Sequence, residues 1–129
     1  MLSRLSLIPR NSLRLLSTTS KLFDHKEFTE SEEWLYHTSD YIKVGITKNA
    51  AEQLGEIVFI DYLYEKNEVL EENEELLLIE SVKAVENIKL DFECEILENN
   101  LVHLDDLDYL NENPECEENS WIIKVKKIE

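Results

Sequence analysis

One lysine stands out by its setting. Lys83 lies between two strand-like segments, 75–82 and 85–96, inside the run Ile79-Glu80-Ser81-Val82-Lys83-Ala84-Val85-Glu86-Asn87. Strands meeting there put Lys83 at or beside a tight hairpin tip, and the small Ala84 after it leaves the amine unobstructed. An enzyme can engulf an amine so placed and join it by an amide to a carried group. The lysine charge is then lost, and the arm is free to visit several active sites. Most turn lysines do nothing of the kind and are simply solvated. Other chemistry is sparse. Cys94 and Cys116 show neither CxxC nor metal-ligand spacing and read as free thiols, one of them half-buried. His25, His37 and His103 fall in separate segments, so no metal site is assembled. No nucleophile–base pair or phosphate loop is present, and a stand-alone enzyme is not expected.

The elements that must position Lys83 read as short strands. Residues 41–46 alternate, with Ile42, Val44 and Ile46 on one face, as in a half-buried strand. Thr47 offers an N-cap for a helix over 48–54 that stops at Gly55. The β-branched and aromatic run 57–63 predicts a strand covered on both faces. Residues 69–73 are polar and suit an exposed turn, and 76–82 form another apolar strand. Ile88, Leu90, Phe92, Cys94 and Ile96 alternate with acids and Lys89, which predicts one strand over nine residues. Leu101, Leu104 and Leu107 have helical spacing within 101–110. An acidic loop, 111–120, leads to a last strand with Trp121, Ile123 and Val125 on one side. The expected fold is mainly β, a flattened barrel or sandwich with one or two short helices.

Composition divides the chain in two. Residues 1–21 contain Arg4, Arg10, Arg14 and Lys21, many Leu and Ser, and no Asp or Glu. That is the composition of a mitochondrial import leader, cleaved somewhere within 16–23, and predicts a matrix location; a disordered basic tail is the other reading. Arginines interrupt every leucine stretch, so no membrane span is expected. The remainder, 22–129, reads as one domain. It holds all 29 acids but only nine of the 13 basic residues, an excess of 20 negative charges. Such a surface repels nucleic acid and anionic membranes and favours partners with basic faces; solubility alone explains it equally well.

The pentapeptide Glu80-Ser81-Val82-Lys83-Ala84 reproduces the signature around the lipoylated lysine in the H proteins of the glycine cleavage system. Biotin carriers place methionines beside their lysine, and 2-oxoacid dehydrogenase lipoyl domains usually place Asp where this chain has Val82. The likeness extends along 23–128. Residues 28–34, ending Glu32-Glu33-Trp34, look like the family's opening strand. Gly45-Ile46-Thr47, Ala50 and Leu54-Gly55-Glu56-Ile57-Val58-Phe59 resemble its second block, and Asn111, Pro114 and Trp121-Ile122-Ile123-Lys124 its last. The resemblance implies a lipoyl-domain-like barrel-sandwich hybrid and lipoic acid bound covalently as N6-lipoyllysine at Lys83, with Glu80, Ser81, Val82 and Ala84 as recognition motif. It implies a non-catalytic carrier in glycine catabolism and one-carbon metabolism. The carrier takes an aminomethyl group from the P protein, a pyridoxal-phosphate glycine decarboxylase, to the T protein, an aminomethyltransferase. The L protein, dihydrolipoyl dehydrogenase, reoxidises it, and a lipoyl ligase or transferase loads it. Ser31, Glu33 and Asn87 would then cradle the loaded arm, the carboxylate facing the cationic amine.

Departures from the family pattern are local. The His before Glu-Trp is Glu32 here. The acid expected four residues beyond the lysine is Asn87, which accepts a hydrogen bond but brings no charge. A Ser-Pro-x-x-Gly turn is replaced by Leu90-Asp91-Phe92-Glu93-Cys94, with no glycine to take positive φ. The sequence stops at Glu129, where family members usually continue into a helical tail. A relay that supplies lipoyl groups to 2-oxoacid dehydrogenases without turning over glycine is therefore the alternative expectation.

Overall fold

The computed structural model describes residues 24–101 and 106–129. The expected leader, 1–21, and Leu104 lie outside the described residues. Among the described residues nine strands and two helices follow in order: β1 (His25–Phe28), β2 (Glu33–His37), β3 (Ile42–Ile46), α1 (Lys48–Leu54), β4 (Ile57–Tyr62), β5 (Val69–Leu70), β6 (Glu75–Ser81), β7 (Val85–Lys89), β8 (Cys94–Asn99), α2 (Asp108–Glu112) and β9 (Ile123–Lys127). One sheet has the order β1-β2-β3-β9-β8-β5 and the other β4-β6-β7. All pairings are antiparallel. The mainly β class and the two short helices agree with expectation. The sheets stay separate rather than closing into a barrel, with the apolar core between them.

Alternation worked where one face meets water. In β3, Ile42, Val44 and Ile46 are buried, and Thr47 caps α1 by accepting from Ala50 N–H at 3.1 Å. Six expectations need correction. First, β4 is not covered on both faces: it is an edge strand whose register slips between Ile57 and Phe59, leaving Val58 and Phe59 in solvent. Second, Val69 and Leu70 form a short strand on Cys94 and Glu95, with Leu70 fully buried, where an exposed turn was expected. Third, the nine-residue alternation is two strands in different sheets. Leu90 and Cys94 stay buried across the break, so side-chain period survives while the ladder does not. The crossing is held by Asn73 N–H on the Leu90 carbonyl (2.8 Å) and Ile128 N–H on the Glu93 carbonyl (2.9 Å). Among the described residues positive φ occurs only at Glu32, Gly55, Asn67 and Asn73, so residues 90–94 turn without it.

Fourth, the short helix or helical turn expected within 101–110 is seen among the described residues as α2, which starts at Asp108 and runs past that stretch to Glu112; Leu101 is exposed, and Leu110 carries the burial. The acidic loop accordingly begins after α2 and not at Asn111. Fifth, residues 28–34 are not one strand: Phe28 ends β1, Glu33 and Trp34 open β2, and 29–32 are the tight link between them. Thr29 N–H bonds the Glu33 carbonyl at 2.8 Å, and Glu32 takes φ 73° to close the turn. Sixth, β9 starts only at Ile123, and Ile122 ahead of it is buried along with Trp121.

Candidate functional site

Lys83 sits at the tip of the β6–β7 hairpin, exposed to solvent. The tip is a four-residue turn closed by Ser81 N–H donating to the Ala84 carbonyl at 2.9 Å. The Ser81 hydroxyl oxygen accepts from the backbone N–H groups of Lys83 (3.2 Å) and Ala84 (3.1 Å), which fixes the turn that carries the amine. Val82 N–H donates to the Glu56 carbonyl at 3.0 Å, tying the tip to the α1–β4 link. Glu80 pairs with Val85 across the hairpin. Among the described residues no acid forms an ion pair with the Lys83 ammonium. The amine is presented on a stiff support and left open.

Glu33, first residue of β2, is only 5% exposed. Its Oε1 accepts from Thr29 Oγ1 at 2.6 Å and Ser31 Oγ at 2.7 Å. Residues 29, 31 and 33 converge because the left-handed Glu32 folds the turn back onto β2. Glu32 is itself anchored: its carbonyl accepts from Thr47 N–H at 3.0 Å and its carboxylate from Asn49 Nδ2 at 2.9 Å. A cleft of about 290 Å³ runs from Ser31 and Glu33, past Gln53 and Leu54 of α1, to Glu86, Asn87 and Ala84, the neighbour of Lys83. Asn87 Nδ2 also reaches Glu75 Oε2 at 3.4 Å. Ser31, Glu33 and Asn87, singled out from the resemblance, therefore line one cleft that opens beside the hairpin tip.

Charge in this cleft is one-sided. Glu32, Glu33 and Glu86 line it and, among the described residues, no Lys, Arg or His does, so it favours a cation at its end. The larger adjoining space of about 990 Å³ shares Ser31, Glu33, Glu86 and Asn87 and continues towards Phe92 and Lys127. Thr29 and Gly55 were not expected at the site. Hydroxyls two and four residues before an acid were a usable sign for Thr29. Gly55 needed the tertiary contact with Lys83, which no local pattern reveals.

The two cysteines differ in setting. Cys94 is buried in the core, and desolvation with Glu74 and Glu93 nearby pushes its thiol up to about 11. Cys116 is half-buried and shifts down, because the Tyr109 hydroxyl donates to Sγ at 3.3 Å. Both are free thiols. No group of three or more metal-ligating side chains comes together among the described residues. Among the same residues no helix is long and apolar enough to cross a membrane.

Known proteins resemble this chain over most of its length. The family profile described as glycine cleavage H-protein matches residues 26–129. A glycine cleavage system H protein of Dinoroseobacter shibae is 42% identical over 99 residues, 77% of this chain and 79% of the relative. One from Vibrio vulnificus is 39% identical over 101 residues, 78% of each. The crystal structure of a glycine cleavage system H protein from Mycobacterium marinum superposes with a TM-score of 0.70 at 26% identity, covering 79% of this chain and 83% of that one.

Proposed function

Because the chain belongs to the glycine cleavage H-protein family, a carrier component of the glycine cleavage system, we propose that it is the system's lipoylated shuttle, with lipoic acid on Lys83. The observation that carries this reading is the open Lys83 amine on a turn capped by Ser81. The unprotonated Nζ attacks an activated carboxyl carbon, an amide C–N bond forms, the leaving group departs with its electron pair, and the amine proton goes to solvent. When bound, the dithiolane supplies a disulfide that is opened by an incoming one-carbon amine fragment and a dithiol that is later reoxidised.

The chain's own residues then bind and shield. Glu33, held by Thr29 and Ser31 and only 5% exposed, offers a fixed carboxylate to a cationic amine, a charge-assisted hydrogen bond. Asn87 adds a neutral acceptor or donor on the far wall. The partners are the P, T and L proteins and a lipoyl ligase or transferase, and the acid-free leader 1–21 supports a place in the mitochondrial matrix. The chain catalyses nothing itself.

The test is the intact mass of protein from lipoate-replete mitochondria, followed by that of the Lys83 peptide. The lipoyl increment on Lys83 is expected; an unmodified lysine counts against the reading. Glycine-dependent NADH formation with the P, T and L proteins then distinguishes shuttle from relay. Lipoylation without turnover assigns the chain to supplying 2-oxoacid dehydrogenases.

A further inference from the structure

Exposed apolar residues gather on one side of the hairpin. Val82 and Val85, one and two residues from Lys83, are 63% and 59% exposed, and Phe59 on β4 is 53% exposed. The register pairs Phe59 with Glu80 and Glu80 with Val85, so Phe59, Glu80 and Val85 share the outer face of the β4-β6-β7 sheet, while Val82 lies in the turn beside Gly55. Phe59 thus stands two strand spacings, roughly 10 Å, from Val85, with the acid between them. Phe59 and Val85 with Glu80 between them, next to the turn valine that precedes Lys83, make an exposed amphipathic surface beside the lysine. The charge around it is equally uneven. From residue 49 to 88 there are eleven acids and only two basic residues, Lys66 and Lys83.

Resting on the lipoyl-carrier reading above, we propose that Phe59, Val82 and Val85 are the docking surface for the enzyme that acylates Lys83, whose matching face is apolar with a basic side chain opposite Glu80 and a lysine- or arginine-rich rim around Glu56 and Asp61. Proximity selects this occupant. An enzyme that must enclose Nζ down to the backbone has to cover Val82 and Val85, whereas one that meets only the far end of a long arm does not. Charge complementarity selects the rim: the acids attract a basic face and steer its approach. The half-exposed Phe59 is the anchor, an aromatic side chain entering an apolar pocket while the acids exclude and orient.

The full chain, acylated by a purified lipoate–protein ligase with lipoic acid and ATP, tests this. Rate is measured against carrier concentration for the natural sequence, for Phe59→Ala with Val85→Ala, and for Val69→Ala, an equally exposed valine on β5 of the other sheet. The double variant is expected to raise KM at least about 10-fold with kcat little changed, while Val69→Ala matches the natural chain. Added salt is expected to raise the natural chain's KM, and Glu56→Gln with Asp61→Asn to blunt that rise. Circular dichroism melting of each variant keeps folding defects apart from docking. If the natural chain is acylated and the double variant has the same KM, the docking surface is wrong and the carrier reading stands. If the natural chain is never acylated, the carrier reading fails first. A KM indifferent to salt removes the basic rim. A dimer of the natural chain that Phe59→Ala dissociates, with acylation unaltered, gives the face to a second copy and overturns the proposal.

Discussion

The stem of Lys83 rests on Gly55, so closely that a Cβ there would stand 3.3 Å from the lysine Cε. Gly55 also ends α1 at φ 77°, ψ −158°, a region open to almost no residue but glycine. The lysine stem can shift by a few tenths of an ångström; the backbone has no such freedom. Gly55→Ala is therefore expected to cost about 1–3 kcal/mol. A lower urea midpoint at unchanged slope would report it, along with slower acylation of Lys83. A midpoint equal to that of the natural chain would show that the α1–β4 link relaxes around the extra methyl group.

Gly45 poses a harder steric problem. It faces Trp34 across the β2–β3 pair, and a Cβ on it would lie 2.3 Å from the indole ring. The ring cannot retreat, being fully buried with Nε1 donating to the Pro114 carbonyl at 2.8 Å. Gly45→Ala is expected to destabilise by about 3 kcal/mol, the upper end of overpacking. Tryptophan emission should also shift to the red as that ring gains water. Unchanged emission and stability would mean the two strands can part without loss.

What sequence disclosed and what it hid have physical causes. The alternation of β3 was legible because one face is core and the other solvent. The break between β7 and β8 was not, since Leu90 and Cys94 remain inward across it and only the choice of partner strand changes. Two residues cannot display a period, so β5 was hidden. The run 57–63 looked like a central strand because apolar side chains that serve a surface read the same as those that serve a core. The place of Lys83 at a hairpin tip was legible from the strand-like segments on either side of it. The turn before Glu33 was not, because its left-handed residue is Glu32 rather than glycine or asparagine.

The two thiols should separate by reactivity and by pH. Cys116, shifted down by the Tyr109 hydroxyl, is expected to react with Ellman's reagent in the native protein, and Cys94 only on unfolding. Cys116→Ser should then leave no native reactivity. The folded protein holds the Cys94 proton to about 11 against an ordinary value of 9.0. Its contribution to stability is accordingly complete below about pH 9 and declines as pH climbs towards about 11. Urea midpoints across that window should fall for the natural chain and fall less for Cys94→Ala. Parallel curves for the two would show that the core thiol does not govern the alkaline limb.

Stability and function are joined at Glu33, and the two can be measured apart. Thr29 and Ser31 donate to one carboxylate oxygen of a side chain that is nearly enclosed. Removing a donor to a charged group costs about 1.5–3 kcal/mol, so Ser31→Ala should lower stability towards the smaller figure, since that hydroxyl is exposed. Glu33→Gln keeps the shape and one acceptor oxygen but removes the charge. It is expected to leave acylation of Lys83 unchanged, because the hairpin tip does not depend on it, while glycine-dependent NADH formation falls about 10-fold or more, the value of a charge-assisted bond to a cation. Asn87→Asp tests the opposite wall. It puts a second negative charge beside Glu75, where the amide now reaches that carboxylate. A loss of about 0.5 kcal/mol is expected, relieved by Glu75→Gln in the same chain. If Glu33→Gln sustains full glycine-dependent turnover, the cleft does not hold the amine, and the lysine tip alone accounts for the carrier.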